Sequence, residues 1–212
     1  MSIIMRFPGG RAKVFTMSYD DGVYQDIRLV EIMNKNGLKG TFNLNSGLIS
    51  KTDAAKGGER LSAKQILELY LPNGHEIALH TYTHAHLSNL SMENVTYEYL
   101  KDKEILEDLS GKIIRGSAYP FSRYNEKVLK ALEACGVSYA RNGAESGNFD
   151  MPTDWLQIEP TLRHRNPKLF ETATLFLETN ITGYTLPRMF YIMGHSYEFD
   201  QQNNWDMMEN FC

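Results

Sequence analysis

The sequence of 212 residues predicts an α/β fold, a parallel sheet covered by helices, on three observations. Short apolar runs alternate with segments of helical periodicity along the whole chain. Roughly seven such units fall within a length that suits one domain, which favours a barrel over an open sheet. Aspartate, histidine and arginine residues stand just past the ends of several runs, where ligands gather in parallel sheets.

Lys13–Met17 reads as a buried strand that the turn-forming Asp20-Asp21-Gly22 breaks. Ile27, Val30, Ile32 and Met33 mark one face of a helix closed by Gly37. Gly40–Leu44 is a second strand, residues 50–60 form a polar loop, and Ser62 caps a helix through Ile66, Leu67 and Leu69. His75–Leu79 is the third strand, and Ser91–Leu109 a long amphipathic helix carrying Tyr97, Leu100, Ile105 and Leu106. Ile113–Tyr119 is a fourth strand ended by Pro120. Glu126–Ala134 is helical with Gly136 behind it, and Val137–Ala140 is the fifth strand. Residues 143–154 are loop, Trp155–Ile158 strand, Pro167–Thr179 helix, and Arg188–Met193 the last strand before Gly194-His195. The polar stretch Asp200–Asn204 leads into a terminal helix. No repeat or linker interrupts residues 1–212. The reading is one domain, a distorted (β/α)7 TIM-like barrel with its site at the carboxyl ends of the strands.

Hydrophobic residues at 42% and charged residues at 23% are ordinary for a globular chain. A net charge of −4 argues against nucleic acid as a partner, which needs a basic face. Cys135 and Cys212 are isolated and form no disulfide framework or zinc knuckle. No run reaches the ~18 apolar residues of a membrane segment. Met1–Pro8 has no apolar core of signal-peptide length. A cytoplasmic protein is therefore expected as the sequence stands, and an extracellular or cell-surface one if the natural chain is longer. Oligomeric state is not readable.

Two stretches carry chemistry. His80-Thr81-Tyr82-Thr83-His84 follows an apolar run, and two imidazoles four residues apart can meet at one point if the chain coils there. Ser18-Tyr19-Asp20-Asp21-Gly22 has the same layout. One carboxylate and two imidazoles leave room on a metal for water and substrate. A second, adjacent carboxylate would be placed to take a proton from the water. A plain Asp-Gly turn is the other reading of that motif.

The two motifs together resemble the polysaccharide deacetylase family, carbohydrate esterase family four, in which they usually read Thr-Phe-Asp-Asp-Gly and His-Ser/Thr-x-x-His. The resemblance runs from Phe15 to about His195. It implies Asp20 as general base, with Asp21, His80 and His84 as ligands of a divalent metal, zinc by default, with cobalt or nickel also accepted by such a set. The family's Arg-x-Pro-Tyr/Phe motif aligns with Ala118-Tyr119-Pro120-Phe121. The Phe121 N–H becomes an oxyanion donor, and Tyr119 and Pro120 line the substrate cleft. Ala118 stands where the family has the arginine that pairs with the catalytic aspartate. Arg141, past the next strand, is the candidate replacement, with Arg115 and Arg163 behind it. Asp154 and Trp155 resemble a fourth motif beside the site, and His195 a fifth, as general acid. His164 is a candidate for the substrate cleft, whereas His75 reads as structural and His86 as solvent-facing. The activity implied is removal of N-acetyl groups from an N-acetylated saccharide. Hydrolysis of cyclic amides or ureides, or an inactive carbohydrate-binding relative, are the alternatives.

Overall fold

The computed structural model describes residues 4–183 and 185–212. Among these residues seven strands form one sheet: β1 (Lys13–Asp20), β2 (Gly40–Leu44), β3 (Glu76–Leu79), β4 (Gly116–Ala118), β5 (Tyr139–Arg141), β6 (Leu162–Arg163) and β7 (Arg188–Gly194). Their order is β5-β4-β3-β2-β1-β7-β6, and every pairing is parallel. Helices α1 (Asp26–Lys35), α2 (Ala63–Leu69), α3 (Met92–Ser110), α4 (Glu126–Ala134) and α5 (Leu169–Glu178) make the crossovers, and α6 (Tyr197–Gln202) and α7 (Trp205–Phe211) follow β7. No helix among the described residues is long and apolar enough to cross a membrane.

The strands alternate in a way that separates two environments. Met17, Tyr19, Phe42 and Leu44 pack in the main apolar core with α1 to α4. Ser18, Asp20 and Asn43 point the other way, to a polar interior that they share with Arg141. A smaller apolar cluster of Leu162, Leu169, Phe176, Phe190 and Ile192 fastens α5 to β6 and β7.

The sheet closes on itself through the segment after β5. Ala140 N–H donates to Trp155 O at 2.8 Å and Asn142 N–H to Ile158 O at 2.9 Å, while Thr161 N–H donates to Tyr191 O at 2.7 Å. One extended stretch thus bonds β5 at its start and β7 at its end. The strand expected over Trp155–Ile158 is reduced to a single bridge, Arg141 with Ile158, and β6 begins only at Leu162. Pro160 lies between them and has no N–H to continue a ladder.

Other boundaries move for similar reasons. β1 runs to Asp20 rather than Met17 because it is paired on both sides, with Asp20 opposite Asn43 and Tyr19 opposite Gly194. The fourth strand keeps only Gly116–Ala118, and Ile113 is exposed. The terminal helix begins after Asn204 as expected, but a further helix, α6, covers most of the polar stretch before it, and the two are separated where Asn203 adopts φ 49°.

Candidate active site

The histidine loop is held from behind by α3. Asp102, fully buried, accepts the His80 N–H at 3.1 Å and the Ser46 N–H at 2.7 Å. One turn earlier, Glu98 accepts Thr83 N–H at 2.8 Å and Thr83 Oγ1 at 2.7 Å. Asn45 donates to the carbonyls of His80 and Thr81. These contacts hold the chain in a coil that extended residues would not adopt, with Thr81 at φ 66° and His84 at φ 57°. Asp21 at φ 87°, Phe121 at φ 56° and Ser122 at φ 57° join them, so among the described residues four of the six positive-φ residues other than glycine line one cavity, and a fifth, Thr81, follows His80 in its wall. Such conformations cost of order 1–3 kcal/mol each and persist where surrounding contacts over-determine them.

That coil brings His80 and His84 to within 4.9 Å, ring centre to ring centre. One donor atom each from Asp21, His80 and His84 lies within 4.8 Å of the others. His80 Nδ1 is 2.8 Å from the Ala118 carbonyl, which can only accept, so Nδ1 carries the proton and Nε2 is the free donor. Burial lowers the pKa of His80 below the histidine range; burial and then His80 push that of His84 down to about 4, so both rings are neutral near pH 7. Asp21 Oδ1 is buried without a hydrogen bond among the described residues; Arg60 Nη1 stands 3.0 Å away but donates to the Asp21 carbonyl. Two neutral imidazoles and an unsatisfied carboxylate oxygen fit a divalent cation.

Asp20 ends β1 inside the barrel and is 3% exposed. Arg141 Nη2 donates to its Oδ1, and Asn43 Nδ2 donates to the same atom at 2.8 Å. Ser18 steadies both partners, accepting Arg141 Nε at 3.0 Å and Asn43 Nδ2 at 2.8 Å. Burial would raise the Asp20 pKa, but Arg141, His80 and His195 outweigh it and hold the carboxyl well below its usual range. Arg141 comes from β5, where it is the register partner of Ala118 on β4. An arginine at position 118 and one at 141 therefore start from neighbouring points, about 4.8 Å apart across the sheet. Arg115 is exposed.

His195 follows β7 and faces Asp20, with Nε2 3.8 Å from Asp20 Oδ2 and Nδ1 3.7 Å from Glu198 Oε2. Burial alone would lower its pKa; Glu198, Asp20 and Asp21 reverse this and raise it above the usual histidine range. Glu198 also lies 3.2 Å from His164 Nε2 and 3.3 Å from Arg165 Nη1. Burial opposes its ionisation, but the two histidines and Arg165 bring its pKa down to about 2. Asp26, at the start of α1, accepts Ser196 Oγ and Tyr70 Oη at 2.6 Å each, which ties the His195 turn to the first helix.

The cavity bounded by these groups measures about 290 Å³, and Tyr119, Phe121, Ser122, Arg163, Met193 and Tyr197 complete its wall. Pro120 is buried behind that wall and does not line it. The Phe121 N–H carries no hydrogen bond among the described residues. Beside Pro120, three other expectations need correction. His164 is 1% exposed and stacks on Phe199 and Tyr19, so it braces Glu198 instead of lining the cleft. Gly194 makes room for it, because a Cβ there would stand 2.0 Å from His164 Nδ1. Trp155 is half-exposed and outside the cavity. Asp154 caps Leu156 N–H and belongs to a separate groove with Tyr124. Of the other histidines, His75 accepts Gly40 N–H near the amino end of β3, and His86 is exposed, stacked on Phe121 with ring centres 3.7 Å apart.

Sequence reasoning missed Glu98, Asp102, Asn43, Arg60 and Glu198. Glu98 and Asp102 had a signal, two acids one helical turn apart on the apolar face of α3. Asn43 had one too, a polar residue between Phe42 and Leu44 in the strand Gly40–Leu44. Arg60 and Glu198 had none.

The polysaccharide deacetylase family profile matches residues 8–140. A chitin deacetylase of Arthroderma benhamiae is 30% identical over 122 residues, covering 55% of this chain and 30% of that protein. The chain spans less than half the length of the curated relatives it matches. Among solved structures, IcaB from Ammonifex degensii superposes with a TM-score of 0.64 at 19% identity, over 76% of this chain and 72% of that one. A family 4 carbohydrate esterase from Streptomyces lividans, in complex with acetate, gives 0.58 at 13% identity over 93% and 86%. At these identities the likeness to the two structures is one of fold.

Proposed function

The chain belongs to the polysaccharide deacetylase family, and on that footing we propose that it is a metal-dependent hydrolase that removes N-acetyl groups from an N-acetylated saccharide. The observation that carries the proposal is a single juxtaposition. An Asp20 carboxylate kept ionised by Arg141 lies 3.9 Å from His80 Nε2 and 3.8 Å from His195 Nε2, beside a second carboxylate and a second imidazole.

Asp21, His80 and His84 would hold the divalent cation, which supplies Lewis acidity to a water and to the acetamide oxygen. Asp20 takes the proton of the attacking water, and its low pKa leaves it ionised for that role. The Phe121 N–H donates to the oxygen of the tetrahedral intermediate. His195, whose pKa Glu198 and Asp20 raise against the effect of burial, would give its proton to the departing amine as acetate leaves. Tyr119, buried with its hydroxyl fixed on the Leu156 carbonyl at 2.8 Å, forms a rigid wall for the sugar.

The test is acetate release from N-acetylglucosamine oligosaccharides by zinc-, cobalt- and nickel-loaded protein, run beside a ring-opening assay on cyclic amides. Acetate release that chelation abolishes and metal restores is expected. Ring opening without acetate release would overturn the saccharide reading.

A further inference from the structure

One cation in the active cavity has no carboxylate partner among the described residues. Arg163, on β6, lines the cavity with Asp20, Asp21 and His195, and among the described residues its guanidinium makes one hydrogen bond, from Nη2 to Gly143 O at 2.9 Å. The neighbouring arginines are engaged, Arg141 with Asp20, Arg60 with Asp21 and Arg165 with Glu198. Glu145 spends its oxygens on the Arg163 backbone N–H, at 3.1 Å, and on the Asn166 amide, leaving the guanidinium free of it. Ser122 shares the cavity wall, and its hydroxyl has no partner among the described residues. Gly143 allows the two to stand together, since a Cβ there would lie 2.2 Å from Ser122 Oγ and 2.8 Å from Arg163 Nη2. The loop passes behind them as bare backbone. A guanidinium fork and a hydroxyl are thereby left side by side on the wall of a substrate cavity.

We infer that Arg163, with Ser122, recognises a carboxylate on the saccharide, so that the preferred substrate is an anionic N-acetylated sugar and not a neutral one. The inference rests on the deacetylase reading and narrows it. A guanidinium offers parallel N–H donors matched to a carboxylate, and such charge-assisted bonds are about twice as strong as neutral ones. A sugar hydroxyl would leave most of those donors unmatched. The two aspartates do not forbid an anion here, because Arg141 offsets Asp20 and Arg60 lies against Asp21.

The probes are two N-acetylated disaccharides of equal length, one with a carboxylate on the sugar next to the acetamide and one without. For the metal-loaded protein, kcat/KM on the carboxylated substrate should exceed that on the neutral one by about tenfold, the low end for a hydrogen bond to a charged group. Arg163→Gln should bring that ratio near one, and Arg163→Lys should leave it in between. A ratio near one in the unaltered protein, or one that Arg163→Gln does not change, overturns the inference. A phosphorylated disaccharide preferred over the carboxylated one would overturn the choice of carboxylate. Equilibrium binding to metal-loaded Asp20→Asn separates this inference from the hydrolase reading. If no saccharide releases acetate but the carboxylated one binds about tenfold tighter, and loses that advantage in Asp20→Asn/Arg163→Gln, the hydrolase reading fails and the inference stands. Acetate release without any binding difference does the reverse.

Discussion

The two halves of the barrel bring side chains to one cavity by different routes. From β1 to β3 each group stands within five residues of a strand end, on tight turns, of which the histidine turn is held by α3. From β5 to β7 the chain has no helix over residues 142–161, and Arg141 and Arg163 stand at the ends of β5 and β6, on either side of the irregular path that closes the sheet. The first half concentrates the proposed metal ligands and base in short motifs. The second half supplies the charges that set how those groups ionise and what they accept. A compact motif can be read residue by residue; a charge that arrives from a distant strand can be read only once the strands are in register.

The largest expected effects break the first half. Asp20→Asn should lower kcat by about two to four orders of magnitude while elemental analysis still finds metal, whereas His80→Ala should lose the metal itself. Near-unaltered acetate release by Asp20→Asn would remove it from the role of base. Arg141→Met tests the second half. It leaves a buried carboxylate without its cation, a change that costs about 3–5 kcal/mol and should appear as a lower urea midpoint together with slower turnover. Restoring an arginine one strand over, as Ala118→Arg in an Arg141→Ala background, should recover part of both losses. No recovery would mean that register partners on β4 and β5 are not equivalent platforms.

A smaller effect is expected at Glu198. His195 has a raised pKa in the folded protein, so its protonated, proton-donating form persists to higher pH and is lost as pH rises through that value. Glu198→Gln removes part of the raising influence, and the basic limb of the kcat profile should move to lower pH, by about one unit for each ~1.4 kcal/mol of lost interaction. A fall in kcat with an unmoved limb would make Glu198 a merely structural residue. Glu198 itself, with a pKa brought down to about 2 from 4.5, adds stability that is complete above its unfolded value and lost as pH falls toward 2. Trp155→Ala should change kcat/KM by less than about threefold, in keeping with a half-exposed side chain outside the cavity. A larger loss would place the sugar against the closing segment.

Much of this protein was legible along the chain. The alternation of strands and helices, the Ser62 cap, and the Asp20-Asp21 and His80–His84 motifs are local features, encoded by propensity, periodicity and spacing over a few residues. The sequence by itself determined the fold class and the two motifs that converge. Tertiary structure alone decided that Pro160 splits the closing strand, that β1 extends to Asp20, that Arg141 partners this carboxylate from the strand beside Ala118, and that His164 turns inward onto Glu198. These outcomes depend on register and burial between residues far apart in sequence. Electrostatic pairing acts over a few ångströms of space, whatever the separation along the chain, and sequence spacing carries no record of it.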